Sequence, residues 1–263
     1  MVNLTIGGGS FKGLAFLGAL EYLHINNYIN NIEHFHGCSI GSIMGVFYII
    51  GFTPFEMLDI FLKLDLRQFW DINLNNIDKS YSILSDTFFK TINNIFKTKE
   101  DINITIGEFY CKYNVNINIH VVSIKQRKSV IFNKDTYPNL KVLTAIQASA
   151  SIPIIFPPVK IDNDYYVDGC TKCLNGHSSN NTTGYIIKLN NKYNEIDSFS
   201  TYISQLLQCM LTNEENVITK NTIEIELDSK YNDKIDFSNI TYSDKIKLYY
   251  DGLTQAKKIF SSI

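Results

Sequence analysis

The sequence has little net charge, little cysteine and no long apolar run. Its 263 residues hold 24 lysines and arginines against 26 aspartates and glutamates, a formal charge of −2, and the pI is about 6.2. No broad positive field follows, so net electrostatics will not hold nucleic acid or an acidic membrane, and any contact with lipid must be apolar. Five cysteines (Cys38, Cys111, Cys170, Cys173 and Cys209) are an odd number scattered along the chain. That usage suits reduced thiols better than a disulfide framework and sets the expectation of a cytoplasmic protein. The longest strongly apolar stretch, Ile43 to Phe52, is about half of the ~20 residues that a bilayer span requires, so no transmembrane segment is expected. Met1-Val2-Asn3-Leu4-Thr5-Ile6 runs straight into glycines without a basic leader or signal-length apolar core, so no secretion signal is expected. Linkers, low-complexity blocks and solenoid-length repeats are also absent. With 45% hydrophobic and only 19% charged residues, the chain can offset its conformational entropy, which excludes intrinsic disorder. One domain over residues 1–263 is expected, with its motifs in 4–175 and further strands and helices in 184–263.

Short β-like runs alternate with helical ones. Leu4 to Ile6 leads through glycines to a helix over Leu14 to Ile25, and His34 to His36 leads through a second turn to a helix over Gly41 to Ile50. Two strand-turn-helix units in succession imply an α/β fold with a largely parallel sheet. Pro54 opens a helix over Phe55 to Leu66, and Ser85 or Asp86 caps one reaching Phe96. Ile117 to Ile124 and Ser129 to Phe132 read as a hairpin with a basic tip, followed by a helix over Leu140 to Ala150. A second hairpin joins Val159 to Ile161 with Tyr165 to Val167. Strands at Tyr185 to Leu189 and Thr222 to Leu227 and helices at Ile196 to Leu211 and Asp244 to Phe260 complete the chain. The polar patches Asn73 to Lys79 and Ser178 to Thr183 read as loops.

Two turns carry chemistry. Gly7-Gly8-Gly9-Ser10-Phe11-Lys12-Gly13 joins the first strand to the first helix, and glycine lets backbone N–H groups converge on an anion at the helix N-terminus. The dinucleotide fingerprint would need glycine at Lys12, and the phosphate loop would need lysine at Leu14, so neither nucleotide motif fits. Gly37-Cys38-Ser39-Ile40-Gly41 matches G-x-S-x-G between a strand and a helix, the context of a nucleophile elbow. Ser39 is then presented at the apex, Ser42 falls in the first helical turn, and Cys38 is a small buried side chain.

Serine needs a base. His24, His34, His36 and His120 sit on helices or strands without the setting of a triad base. His177 follows Asp168 in the order Ser, Asp, His found in α/β-hydrolases and remains an alternative.

Ala148-Ser149-Ala150-Ser151-Ile152-Pro153-Ile154-Ile155-Phe156-Pro157-Pro158, followed by Tyr165-Tyr166-Val167-Asp168-Gly169, completes a set of motifs that resembles the patatin-like phospholipases. That family combines a G-G-G-x-x-[RK]-G loop, a G-x-S-x-G elbow, an A-S-x-x-x-P-x-x-F-x-P stretch and a D-G-[GA] turn. The resemblance runs from Leu4 to Asn175. It implies a three-layer α/β/α fold with a mainly parallel central sheet, and hydrolysis of lipid acyl esters, of phospholipase A or non-specific esterase type, without metal or cofactor. Carried over, Ser39 is the nucleophile and Asp168 its base, Gly8, Gly9 and Ser10 offer oxyanion donors, and Lys12 takes the loop's basic position. Gly7, Gly13, Gly37, Gly41 and Gly169 support these turns. A carboxylate at its ordinary pKa of about 4 is a weak base, so Asp168 must be desolvated.

The chain departs from the family at Asp168-Gly169-Cys170, which lacks the second small residue, and at Asn175-Gly176-His177, which replaces the usual N-x-P. Cys170-Thr171-Lys172-Cys173 with His177 has the look of a metal fragment or redox pair, but no fourth ligand lies nearby. The apolar stretch Phe55 to Trp70 is either a lid or a helix packed on the core. Ile246, Tyr249, Tyr250, Leu253 and Phe260 form a packing stripe on the terminal helix, leaving Lys245, Lys247, Lys257 and Lys258 on a solvated face. A lipid ester is the expected partner, with peripheral membrane contact open. A lipid-binding protein that has lost turnover is the rival reading.

Overall fold

A computed structural model describes residues 2–172, 184–190, 196, 201–202, 205–206, 221–231 and 238–261. The strands are β1 (Val2–Ile6), β2 (Ile32–Cys38), β3 (Asn116–Ser123), β4 (Lys128–Phe132), β5 (Val159–Ile161), β6 (Asp164–Asp168), β7 (Tyr185–Leu189) and β8 (Thr222–Ile225). The helices are α1 (Gly13–Ile25), α2 (Ile40–Ile49), α3 (Pro54–Lys63), α4 (Ile77–Ser80), α5 (Thr87–Phe96), α6 (Ile106–Tyr113), α7 (Val142–Ser149) and α8 (Tyr242–Phe260). They form a mixed α/β sheet with helices on both sides.

The strands β8, β7, β1, β2 and β3 are parallel neighbours in that order. Their alternation sets one face: Leu4, Ile6, Phe35, Ile117, Ile119, Ile187, Leu189, Ile223 and Ile225 are all buried. Helix α1 is apolar nearly all round, as a helix enclosed by its neighbours must be. Its tightest neighbour is α8, where backbone approaches backbone at glycines. A Cβ on Gly18 would lie 1.9 Å from the Tyr249 carbonyl oxygen, and one on Gly252 1.8 Å from that of Ala15.

The register around β3 brings the ends of two other strands together. Residues 121–123 of β3 pair with both β4 and β6, so those two strands lie on opposite edges. Ile119 and His120 pair with both β2 and β4, so β2 and β4 also lie on opposite edges. Strands β2 and β6 therefore share one edge of β3 and run toward each other along it. Cys38, the last residue of β2, faces His120, and Asp168, the last of β6, faces the adjacent Val121.

Several expectations need correction. Asn73 to Lys79 is not plain loop: Leu74–Asn76 forms a 3₁₀ turn that runs into α4. Helix α3 starts at Pro54 under a Thr53/Glu56 capping box but ends at Lys63, because Leu64 turns extended and Asp65 caps a separate 3₁₀ turn at Leu66–Phe69. Helix α6 was not expected, although Thr105 and Glu108 spell its capping box. On α8 the buried stripe is Lys245, Leu248, Tyr249, Gly252 and Ala256, while Tyr250 is exposed. Lys245 is thus not on the solvated face, because its Nζ donates to the Phe61 and Leu64 carbonyls at 2.8 and 2.6 Å. The expected helix Ile196 to Leu211 and the patch Ser178 to Thr183 lie largely or wholly outside the described residues.

Gly252→Ala should lower the urea midpoint, with a loss of about 1–3 kcal/mol as the helices are forced apart. An unchanged midpoint would mean that the α1–α8 spacing relaxes freely.

Candidate active site

Ser39 stands alone between β2 and α2 with φ 53° and ψ −131°, a left-handed conformation that costs a non-glycine residue about 1–3 kcal/mol. Surrounding contacts hold it there. The Ser39 N–H donates to Ser149 Oγ at 3.0 Å, and that hydroxyl donates to the His120 carbonyl at 2.7 Å. Ser42 donates its hydroxyl to the Ser39 carbonyl at 2.6 Å. The elbow glycines are steric requirements. A Cβ at Gly37 would fall 2.6 Å from Ser42 Cα, and one at Gly41 would fall 2.4 Å from the carbonyl oxygens of Ile6 and Gly7.

Asp168 meets the serine where β6 ends. Its Oδ2 accepts the Ser39 hydroxyl at 2.6 Å, and its Oδ1 accepts the Cys170 N–H at 2.8 Å. Its own N–H donates to the Ser151 carbonyl at 2.9 Å. Gly169 is needed behind it, since a Cβ there would sit 2.4 Å from the His120 oxygen. The carboxyl is 2% exposed and Ser39 is 5% exposed. Burial pushes the Asp168 pKa up to about 6, opposed by the hydrogen bonds from Ser39 and Cys170.

The glycine loop crosses the same place. The Gly7 N–H donates to the Ile187 carbonyl at 3.0 Å, anchoring the loop to β7, and the Lys12 N–H closes a turn on the Gly9 carbonyl. Ser10 has φ 51°. A Cβ at Gly8 would lie 3.2 Å from Ser39 Cβ and 2.1 Å from Cys170 Sγ, so the bare backbone passes directly beside the serine. Among the described residues, no acceptor takes the N–H of Gly8 or Gly9. A Cβ at Gly13 would meet Ile40 and Met44 at 2.9 Å, and Lys12 is buried.

A narrow apolar pocket opens from Ser39. Leu14, Ile43, Met44, Phe61, Phe69, Phe88 and Phe156 are among the residues that line it. Helix α3 thus packs on the core through Met57 and Leu58 and also supplies a pocket wall through Phe61. A larger depression at His24, Tyr48 and Asn114 also touches Ile32 and Glu33, at the end of β2 remote from Ser39.

The structure brings Ser39, Asp168 and Gly8 together, and Ser10 lines the same pocket as Ser39, whereas a Cβ at Gly9 would meet Phe16 and Leu189. His24 bonds the Tyr48 hydroxyl, and His36 and His120 contact each other at 3.3 Å; none of these histidines bonds Ser39 or Asp168. His177, Cys173 and Asn175 lie outside the described residues. Two contributors escaped the sequence reading. Ser149 pins the elbow from within the quoted A-S stretch, and Ile40 offers an N–H at the start of α2, as the residue after an elbow serine does. Cys38 is fully buried, and its Sγ lies 2.7 Å from Cys170 Sγ.

Residues 4–172 match the profile of the patatin-like phospholipase family. The chain is 32% identical over 238 residues to the probable lipid hydrolase 463L of Invertebrate iridescent virus 6, covering 83% of this chain and 78% of that protein. In structure it is similar to VipD from Legionella pneumophila, with a TM-score of 0.63 at 14% identity over 99% of this chain and 67% of that one. It is also similar to the type III effector ExoU of Pseudomonas aeruginosa, with a TM-score of 0.56 at 14% identity over 99% of this chain and 53% of that one. At such identities the two structures speak to fold alone.

Asp168→Asn is nearly isosteric and removes the buried charge; its amide oxygen can still accept the Cys170 N–H, while its NH2 can only donate to Ser39 Oγ. With a folded-state pKa raised to about 6 against an unfolded value near 4, the wild-type carboxyl contributes stability below pH ~4 that is lost as pH rises through about 6. Relative to wild type, the variant should gain up to ~3 kcal/mol across that window, read from urea midpoints. A difference that does not change with pH would show that the carboxyl titrates alike in both states.

Proposed function

The chain belongs to the patatin-like phospholipases, a family of lipid hydrolases, and on that premise we propose that it cleaves lipid acyl esters through an acyl-enzyme on Ser39, with Asp168 as general base. The observation that carries this reading is the 2.6 Å hydrogen bond from Ser39 Oγ to a buried carboxylate at the mouth of an apolar pocket. The virus protein's name, probable lipid hydrolase, agrees with it.

The acyl chain lies in the pocket, which excludes water and brings the ester carbonyl to Ser39. As Oγ attacks, its proton passes to Asp168, whose raised pKa makes it a stronger base than a solvated carboxylate. Negative charge collects on the carbonyl oxygen. The N–H groups of Gly8, Gly9 and Ser10, joined by that of Ile40, stabilise it, each donor contributing about 3–4 kcal/mol by analogy with other serine hydrolases. Asp168 returns the proton to the leaving alcohol. It then takes a proton from water, which attacks the acyl-serine, and hands that proton to Ser39 Oγ as the fatty acid leaves, restoring the starting dyad.

The substrate belongs to a lipid aggregate, so the protein has to meet a lipid surface without net charge to draw it. Ile72, Leu74, Ile77, Tyr81 and Ile154 are large, exposed and apolar. The Ile83 N–H donates to the Ile154 carbonyl, which ties this strip to the segment whose Ile152 and Phe156 line the pocket. Peripheral contact with lipid through this rim is part of the proposal.

Ser39→Ala and Asp168→Asn should each cut fatty-acid release from mixed phospholipid vesicles by about 10³-fold or more. Full activity in either would overturn the dyad, and loss of activity in His177→Ala with Asp168→Asn still active would move the base to His177. The wild-type rate should rise with pH through about 6 and then level off, as the base ionises. Leu74→Asp with Ile77→Asp should slow hydrolysis of vesicles while sparing a soluble short-chain ester; equal loss on both would remove the rim from the proposal.

A further inference from the structure

The cysteine that departs from the family pattern at the aspartate turn does not stand alone. Cys170 Sγ lies 2.7 Å from Cys38 Sγ, and these two sulfurs and an Asp168 carboxylate oxygen all fall within 4.8 Å of one another. The three come from separate places. Cys38 ends β2, Asp168 ends β6, and Cys170 lies in the 3₁₀ turn that follows. Cys38 and Asp168 are buried, and Cys170 is partly exposed.

We propose that Cys38 Sγ, Cys170 Sγ and an Asp168 oxygen form a three-ligand site for a thiophilic divalent cation of the zinc class, and that the bound ion silences the hydrolase. The inhibitory half rests on the reading of Asp168 as base; the binding half does not. Two sulfurs and one oxygen favour zinc or cadmium over magnesium or calcium, which prefer all-oxygen shells. Binding replaces two thiol protons: one dication and two neutral thiols become a bis-thiolate complex and two protons. The site's net charge, that of one carboxylate, is the same before and after, so the ion adds no uncompensated buried charge. Tetrahedral bonds of about 2.3 Å require the sulfurs to separate by about 1 Å, a shift of the size that a cysteine side-chain rotation supplies. A fourth position is left for water or Ser39 Oγ. Once Asp168 donates lone pairs to the ion, it no longer accepts the serine proton.

The test uses the full chain, reduced with a phosphine and freed of metal. Cadmium should produce a single-site thiolate-to-metal absorbance band that zinc displaces and millimolar magnesium or calcium does not. The band should persist in Cys111→Ala and Ser39→Ala and disappear in Cys38→Ala and Cys170→Ala. Since Ser39→Ala is expected to be inactive, its band reports binding whether or not the proposed hydrolysis is correct. With zinc, hydrolysis of a soluble ester should fall by about 10²-fold or more from the metal-free rate, and EDTA should restore it. Wild-type protein without a band, or a band undiminished in Cys38→Ala and Cys170→Ala, would overturn the site. A normal band with an unchanged hydrolysis rate would overturn its inhibitory role.

Discussion

The candidate site depends on two strands meeting end to end. Strand β3 is long enough to pair with β2 over its first part and with β6 over its last, on the same edge and in opposite directions. Where they meet, one strand delivers a serine and the other an aspartate. Neither side chain has to reach across the sheet, so the contact between them is set by backbone pairing. The glycine loop from β1 closes the third side, held to β7 by the Gly7 hydrogen bond. A slip of one residue in β6 would turn Asp168 to the other face and leave Ser39 without a partner.

That arrangement buries an acid, and among the described residues no cation is among the groups that act on its carboxyl. The Ser39 hydroxyl and the N–H and thiol of Cys170 that bond the Asp168 carboxyl are neutral, and they offset only part of the desolvation, which is why its pKa is raised. The strain in Ser39 is similar in kind: a left-handed serine is kept in place by Ser149, Ser42 and the close packing at Gly37 and Gly41. Both features cost stability locally, and the large apolar core around α1 offsets them.

Much of this was legible in the sequence because the most demanding positions use glycine. Gly8, Gly37, Gly41 and Gly169 each stand where a Cβ would strike backbone or a neighbouring side chain, so the motifs are steric necessities that can be read locally. The parallel core strands and their helices follow from hydrophobic spacing. What escaped depends on distant partners. Ser149 acts on a residue 110 positions away, and nothing in its local sequence shows that its hydroxyl will bridge Ser39 and His120. Lys245 was assigned to solvent because lysine usually belongs there. Only the packing of α8 against α3 shows that its ammonium finds two carbonyls. Helix α6 is different, since its capping box was present in the sequence at Thr105 and Glu108.

The lysine on α8 ties the pocket to a part of the sequence outside the family match. The match to the family profile ends at residue 172, and the serine, the aspartate and the glycine loop all lie within it. The end of α3, whose Phe61 walls the pocket, is nonetheless held by an ammonium group from the last helix of the chain. The same helix covers the glycine-lined side of α1. The candidate dyad and the apolar pocket beside it thus draw on separate stretches of sequence, and a change on α8 can reshape the pocket without touching Ser39 or Asp168.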